Sequence, residues 1–238
     1  MQSITARITI TLLLLGTGLL PASLDLTGVA KREARQHLQP VLDIISAAQT
    51  PPLLFLTADD NPWLGAGATL LTAAVPDFQS LDSGYPNFWL STSVSPNLTI
   101  GAHFIGIYWK NDNLHTLGPF IVYSAGTPVK STLIGFHFHN LKGPDDFHLT
   151  DVALDVSRIH RNAKWHWGYG LTAHFLKTVL HVTDHADVNQ NYRMTTDFNI
   201  AFARLGAYRI LWKNVAIGVE SFIKPDNMVT TMNFILTL

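Results

Sequence analysis

Past Pro51 and Pro52 the chain alternates apolar and polar side chains with a period of two residues, the repeat of a β-strand with one apolar face. The clearest run is WHWGYGLTAHFL, where Trp165, Trp167, Tyr169, Leu171, Ala173 and Phe175 share one face and His166, Gly168, Gly170, Thr172 and His174 the other. A second run, YRMTTDFNIAFAR, sets Tyr192, Met194, Thr196, Phe198, Ile200 and Phe202 against Arg193, Thr195, Asp197, Asn199, Ala201 and Ala203. Weaker alternation recurs in Phe88–Val94, Leu98–Tyr108, Ile134–Phe138, Val152–Val156 and Val215–Ile223. Turn-rich pieces such as SPN, AGTPVK, NLKGPDD, HRNA and KPDN separate these runs. The pattern predicts ten strands, over 65–75, 86–94, 98–109, 117–124, 131–139, 147–159, 165–180, 192–204, 212–223 and 229–238.

In these strands the polar face carries Gly, Ala, Ser, Thr and His more than Lys, Glu and Arg. A soluble sandwich would put its charges on that face. Charged residues make up 14% of the chain and hydrophobic residues 47%, so a solvent other than water is expected on part of the surface. No window after Pro52 holds the roughly 20 apolar residues of a membrane helix. Together these point to an all-β fold, an antiparallel transmembrane β-barrel over 63–238. Its apolar rows, with Trp and Tyr near the strand ends, face lipid, and its polar rows face the lumen. On that facing, Leu171→Arg is expected to block assembly and Thr172→Arg to be better tolerated.

Two segments precede the barrel. ITITLLLLGTGLL follows a short stretch carrying Arg7 and ends at Pro21, the layout of a signal peptide over 1–22. Residues 23–62 form an N-terminal periplasmic helical and linker segment. DLTGVAKREARQHLQPVLDIISAA reads as a helix broken or kinked at Pro40, expected to cap the barrel in preference to plugging it.

The last strand, VTTMNFILTL, resembles the terminal strand of bacterial outer-membrane β-barrel proteins, with Met232, Phe234, Leu236 and Leu238 in its alternating positions. The family's usual final aromatic is replaced by Leu238. The resemblance implies recognition by the barrel assembly machinery and residence in the outer membrane of a Gram-negative bacterium, with lipid as a partner. It implies no activity.

A net charge of −1 supplies no attraction for nucleic acid, and the absence of cysteine removes disulfides, thiolate metal sites and cysteine nucleophiles. Eleven histidines are the candidate chemistry. His103, His137, His139, Asp155, His166, His174, Asp197 and Glu220 fall on faces opposite apolar rows and are the lumen-lining candidates. Imidazoles and carboxylates suit a metal ion or a titrating site, but no compact ligand motif accompanies them, so a hydrogen-bonded polar lining is expected. His181, His185, Asp184 and Asp187 share an exposed loop, read as solvated. No nucleophile elbow or phosphate loop occurs, so no catalytic residue, metal ligand or cofactor is assigned. The functional expectation is a structural barrel, or a narrow pore, small-ligand binder or transporter. Two alternatives stay open: a hydrolase embedded in the barrel, and a soluble exported ligand-binding barrel.

Overall fold

The computed structural model describes residues 30–53, 64–73, 86–109, 112–127, 129–142, 147–182, 191–212 and 215–237. The expected signal peptide, the loop residues Asp184, His185 and Asp187, and Leu238 lie outside them. Among the described residues one helix, α1 (Ala34–Gln49), precedes ten strands: β1 (Leu64–Ala73), β2 (Pro86–Ser95), β3 (Leu98–Trp109), β4 (Asp112–Gly126), β5 (Lys130–Lys142), β6 (Phe147–Arg161), β7 (Trp165–Val182), β8 (Tyr192–Trp212), β9 (Val215–Lys224) and β10 (Asn227–Thr237). Each strand pairs antiparallel with its sequence neighbours, and β1 pairs with β10 from Gly65↔Thr237 to Ala73↔Val229, so the sheet closes into a barrel. Closure leaves no edge strand with unpaired backbone groups.

Two expected boundaries move by five residues or more. β4 begins at Asp112, five residues before the predicted start. The stretch 205–211, read as a connection, continues β8 to Trp212 and pairs with β7 and β9. The barrel then has a lower rim, where β2 ends at Ser95, β4 at Gly126, β6 at Arg161 and β8 at Trp212, and an upper rim, where β3 ends at Trp109, β5 at Lys142, β7 at Val182 and β9 at Lys224.

The outward face is layered. Across β5 to β8 the register aligns Ile134–Val156–Leu171–Ala203, then Phe136–Leu154–Ala173–Ala201, then Phe138–Val152–Phe175–Asn199. Below them run Thr132–Arg158–Tyr169–Leu205 and Lys130–His160–Trp167–Ala207; above them runs Asn140–Thr150–Lys177–Asp197. A greasy belt therefore lies between an aromatic, basic lower layer and a polar upper one. Leu171 is 67% exposed, and Ile121, Ile134, Phe136, Leu154, Val156 and Phe175 are also exposed on this outer face.

β8 turns its faces the other way from expectation. Phe198, Ile200 and Phe202 are buried inward, while Arg193, Thr195, Asp197 and Asn199 are exposed outward. The reason is α1, which lies inside the barrel and neither caps it nor projects from it. Every residue from Val41 to Leu53 is buried. Leu38, Leu42 and Ile45 belong to one core with Leu141, Phe147, Leu149, Leu176, Leu180, Phe198, Phe202, Phe222 and Val229, contributed by six strands. An apolar helix in the lumen needs apolar partners, and the β8 row supplies them. Burying the Leu, Ile and Val side chains of α1 contributes about 1.5–3 kcal/mol each.

The helix is continuous across Pro40. Near the upper rim, Arg35 donates to the Asp197 carbonyl at 3.3 Å and lies 5.2 Å from the Phe198 ring centroid. Its far end reaches the lower half of the barrel, where a Cβ added at Gly168 or at Gly206 would meet Leu53. Exposed Ala30–Glu33 lie at the upper mouth and Thr237 at the lower, so the described chain does not start and end on one side.

Candidate functional site

The last turn of α1 carries carbonyls without intrahelical partners, and the barrel wall and the residue that follows the helix supply them. The Thr50 amide bonds Ala47 O at 3.3 Å, and Asn87 Nδ2 donates to Ala48 O. Arg204 Nη2 donates to Pro51 O. Beyond the helix, the Leu53 amide donates to Glu220 Oε1 at 2.5 Å. A guanidinium at the carboxyl end of the helix also meets the negative end of its dipole.

Arg204 is the centre of a buried ionic group. Its Nε and Nη2 donate to Glu220 Oε2 at 2.8 and 2.6 Å, and its Nη1 to Asp155 Oδ2 at 3.2 Å. Asp155 accepts further bonds from Thr172 Oγ1 at 2.8 Å and Ser157 Oγ at 3.0 Å. Arg204 is 2% exposed and Glu220 1%, so neither charge is solvated by bulk water and each depends on the other.

Beside this group, His174 Nδ1 lies 2.7 Å from Asp151 Oδ2 and His174 Nε2 lies 3.1 Å from Thr50 Oγ1. Hydroxyl, imidazole and carboxylate in that order are the parts of an acyl-transfer site. Thr50, however, is 4% exposed immediately after the helix plugging the lumen, and its hydroxyl also donates to Ser46 O at 3.0 Å, the usual back-bond of a threonine at a helix end. The arrangement acts here as a latch between α1 and β7.

A third group lines the wall on β3, β4 and β5. His103 packs on Phe120, with ring centroids 4.7 Å apart, and lies 5.5 Å from His139; His137 and His139 stack at 6.4 Å. The rings lie against the wall because glycine stands beside them: a Cβ at Gly118 would collide with His139 Nδ1, and one at Gly135 would meet His137 Nε2 at 2.7 Å. His103 Nδ1 lies 3.2 Å from Asn87 Oδ1. His103 Nε2, both nitrogens of His137 and of His139, Asp151 Oδ1 and both amide atoms of Gln49 are buried with no hydrogen-bond partner among the described residues. Among the described residues no three His, Asp or Glu side chains are arranged to hold a metal ion.

No family model matches the chain, and no curated protein does. The solved structures it resembles are bacterial outer-membrane β-barrel proteins. They include the outer membrane protease OmpT from Escherichia coli, at 10% identity and a TM-score of 0.40, covering 78% of this chain and 97% of that one. The KdgM porin matches at 8% identity and a TM-score of 0.38 over 73% of this chain and 98% of that one. The translocator domain of the autotransporter NalP from Neisseria meningitidis matches at 8% identity and a TM-score of 0.40, covering 86% of this chain and 95% of that one.

Of the residues singled out in the sequence, His103, His137, His139, Asp155, His174 and Glu220 are buried on the inner face, and His166 is half-buried there near the lower rim. Asp197 is not: it is exposed on the outer face of β8, opposite Lys177, because the apolar row of β8 is taken by α1. Thr172 is interior, as expected, and is buried with its hydroxyl donating to Asp155, so an arginine there would meet a filled lumen and not open water. Arg204 and Thr50 escaped the sequence reading. Arg204 shares a face with Phe198, Ile200 and Phe202, and an arginine in phase with an apolar row is the signal that the row does not face lipid.

Proposed function

We propose that this chain is an integral protein of a Gram-negative outer membrane whose lumen is sealed by its own helix, and that it binds a small polar molecule and does not pass solutes by diffusion. The observation that supports it is the layering of the outward face. From Trp167 to Phe175 the outward row of β7 spans about 27 Å along the strand. Strand tilt reduces this to on the order of 20 Å along the axis, close to the height of the apolar band of such barrels. On this reading the lower rim is periplasmic, and β10 carries the signal read by the assembly machinery.

The sealed lumen separates this reading from an open pore. Freeing α1 forfeits the burial of Leu38, Val41, Leu42, Ile44 and Ile45, on the order of 10 kcal/mol. A loss of that size keeps the helix in place, so the interior can serve only what fits beside it. The unpartnered imidazole and amide atoms of His103, His137, His139 and Gln49 are the groups that would hold a small neutral polar ligand or water there, since buried donors and acceptors are nearly always satisfied.

The test combines fractionation, heat-dependent gel mobility and single-channel recording. Recovery in the outer membrane, a mobility difference between boiled and unboiled samples, and no sustained conductance from the full chain in a planar bilayer are the expected results. Recovery from the soluble periplasm overturns the membrane reading, and a steady open conductance overturns the sealed lumen.

A further inference from the structure

The lower rim of the β5–β8 sector differs from the rest of the outer surface. Arg158, Lys164 and Arg209 lie there with Trp165, Trp167 and Tyr169: Arg158 is opposite Tyr169, and Arg209 is opposite Trp165, two rows lower on the same outward face of β7. Ile210 N donates to Lys164 O at 2.9 Å, which ties the 162–164 turn down beside Arg209. Lys130 and His160 extend the same layer. Among the described residues no carboxylate shares this outward surface. Asp151, Asp155 and Glu220 point inward, and Asp197 and Asp226 belong to the upper rim.

Basic side chains gathered without acidic partners repel one another unless an anion from outside the chain joins them. Several of these groups are also held in place. Arg158 Nη1 donates to Thr132 Oγ1 at 2.7 Å, which leaves most of its five N–H donors uncommitted. Arg209 Cζ lies 5.7 Å from the Trp165 ring centroid, and His160 stacks on Trp167 at 4.1 Å with an interplanar angle of 8°. Trp165 is 52% exposed and Trp167 50%, so flat aromatic surface stays open next to the cations. The layer immediately above Arg158 is Ile134–Val156–Leu171–Ala203, entirely apolar.

A ligand that fits must be anionic between the row of Arg158 and that of Arg209, two rows lower along β7, and apolar in the row above Arg158. We infer that this patch binds the phosphate of an anionic glycerophospholipid, phosphatidylglycerol being the simplest, with its acyl chains along Leu171 and Val156. The inference rests on the membrane reading above. It adds a preferred headgroup and a fixed sector of the barrel wall, where a barrel in lipid would otherwise be surrounded indifferently.

The test uses the full chain in phosphatidylcholine vesicles carrying a minor fraction of either phosphatidylglycerol or phosphatidylcholine with brominated acyl chains, read by quenching of tryptophan fluorescence. The brominated phosphatidylglycerol is expected to occupy the patch about fivefold beyond its mole fraction, and high salt should abolish the excess. The variant Arg158→Gln/Lys164→Gln/Arg209→Gln, still shifting in mobility on boiling, should lose the excess as well. Equal quenching by both lipids in the wild-type protein, or an excess that salt does not reduce, overturns the headgroup site and leaves the membrane reading standing. Quenching by neither lipid overturns both. Should the triple variant fail to fold, the salt dependence of the wild-type protein decides.

Discussion

Arg204 presents two nitrogens, Nε at 2.8 Å and Nη2 at 2.6 Å, to a single oxygen of Glu220. The other oxygen of that carboxylate accepts the Leu53 amide just past α1. One buried carboxylate thus joins β8 and β9 to the segment that ends the plug.

Removing one member of that pair strands the other. Arg204→Ala is expected to destabilise the barrel by about 3–5 kcal/mol, because Glu220 and Asp155 remain buried without their cation. Arg204→Met/Glu220→Gln should cost less than Arg204→Ala alone. Urea unfolding followed by the gel mobility shift gives both values, and a double variant as damaged as the single would remove the ion pair from the explanation.

That network also marks where sequence reading stopped. The ten strands were legible because alternation in each survives whichever way it faces. Facing was legible in β7, where Trp165, Trp167 and Leu171 stand against glycine, threonine and histidine. It was inverted in β8, where Phe198, Ile200 and Phe202 look like a lipid row but cover Leu38, Leu42 and Ile45. Two-residue periodicity shows that one side is greasy and does not say whether the grease meets lipid or a helix. The histidines were legible as interior residues, but His174 gains its place from Asp151 and Thr50, residues distant in sequence that only the barrel register brings together.

Leu171 tests the outer face. Leu171→Arg places a charge in the apolar belt and should cost about 2–4 kcal/mol, seen as loss of the heat-modifiable form. Asn199→Arg, outward on β8 at the upper margin of the belt, should assemble nearly normally. Indifference to Leu171→Arg would mean that this face does not meet hydrocarbon.

Leu42 tests the plug. It is fully buried in the lumen, and Leu42→Ala should lower stability by about 2–5 kcal/mol in the same unfolding assay. A helix resting loosely at the mouth would give a change within experimental error.

Gly218 tests the interior wall. A Cβ there would strike the Tyr208 ring, whose hydroxyl accepts from Asn233 Nδ2 at 3.3 Å. Gly218→Ala should cost about 1–3 kcal/mol by displacing that ring. Adding Gly218→Ala to Tyr208→Ala should then cost clearly less than adding it to the wild type, a coupling that the two single and one double variants measure directly.

The closed seam between β1 and β10 has a consequence for how such a chain is made. A helix that runs from one mouth toward the other, with chain continuing from both of its ends, cannot slide sideways into a finished cylinder. Two routes are left: the wall closes around the helix, as staves are set around a core before the hoop is drawn tight, or the helix threads endwise through a mouth. On the first route the pairing of Gly65 with Thr237 and of Ala73 with Val229 comes last, and on the second the finished vessel receives its stopper.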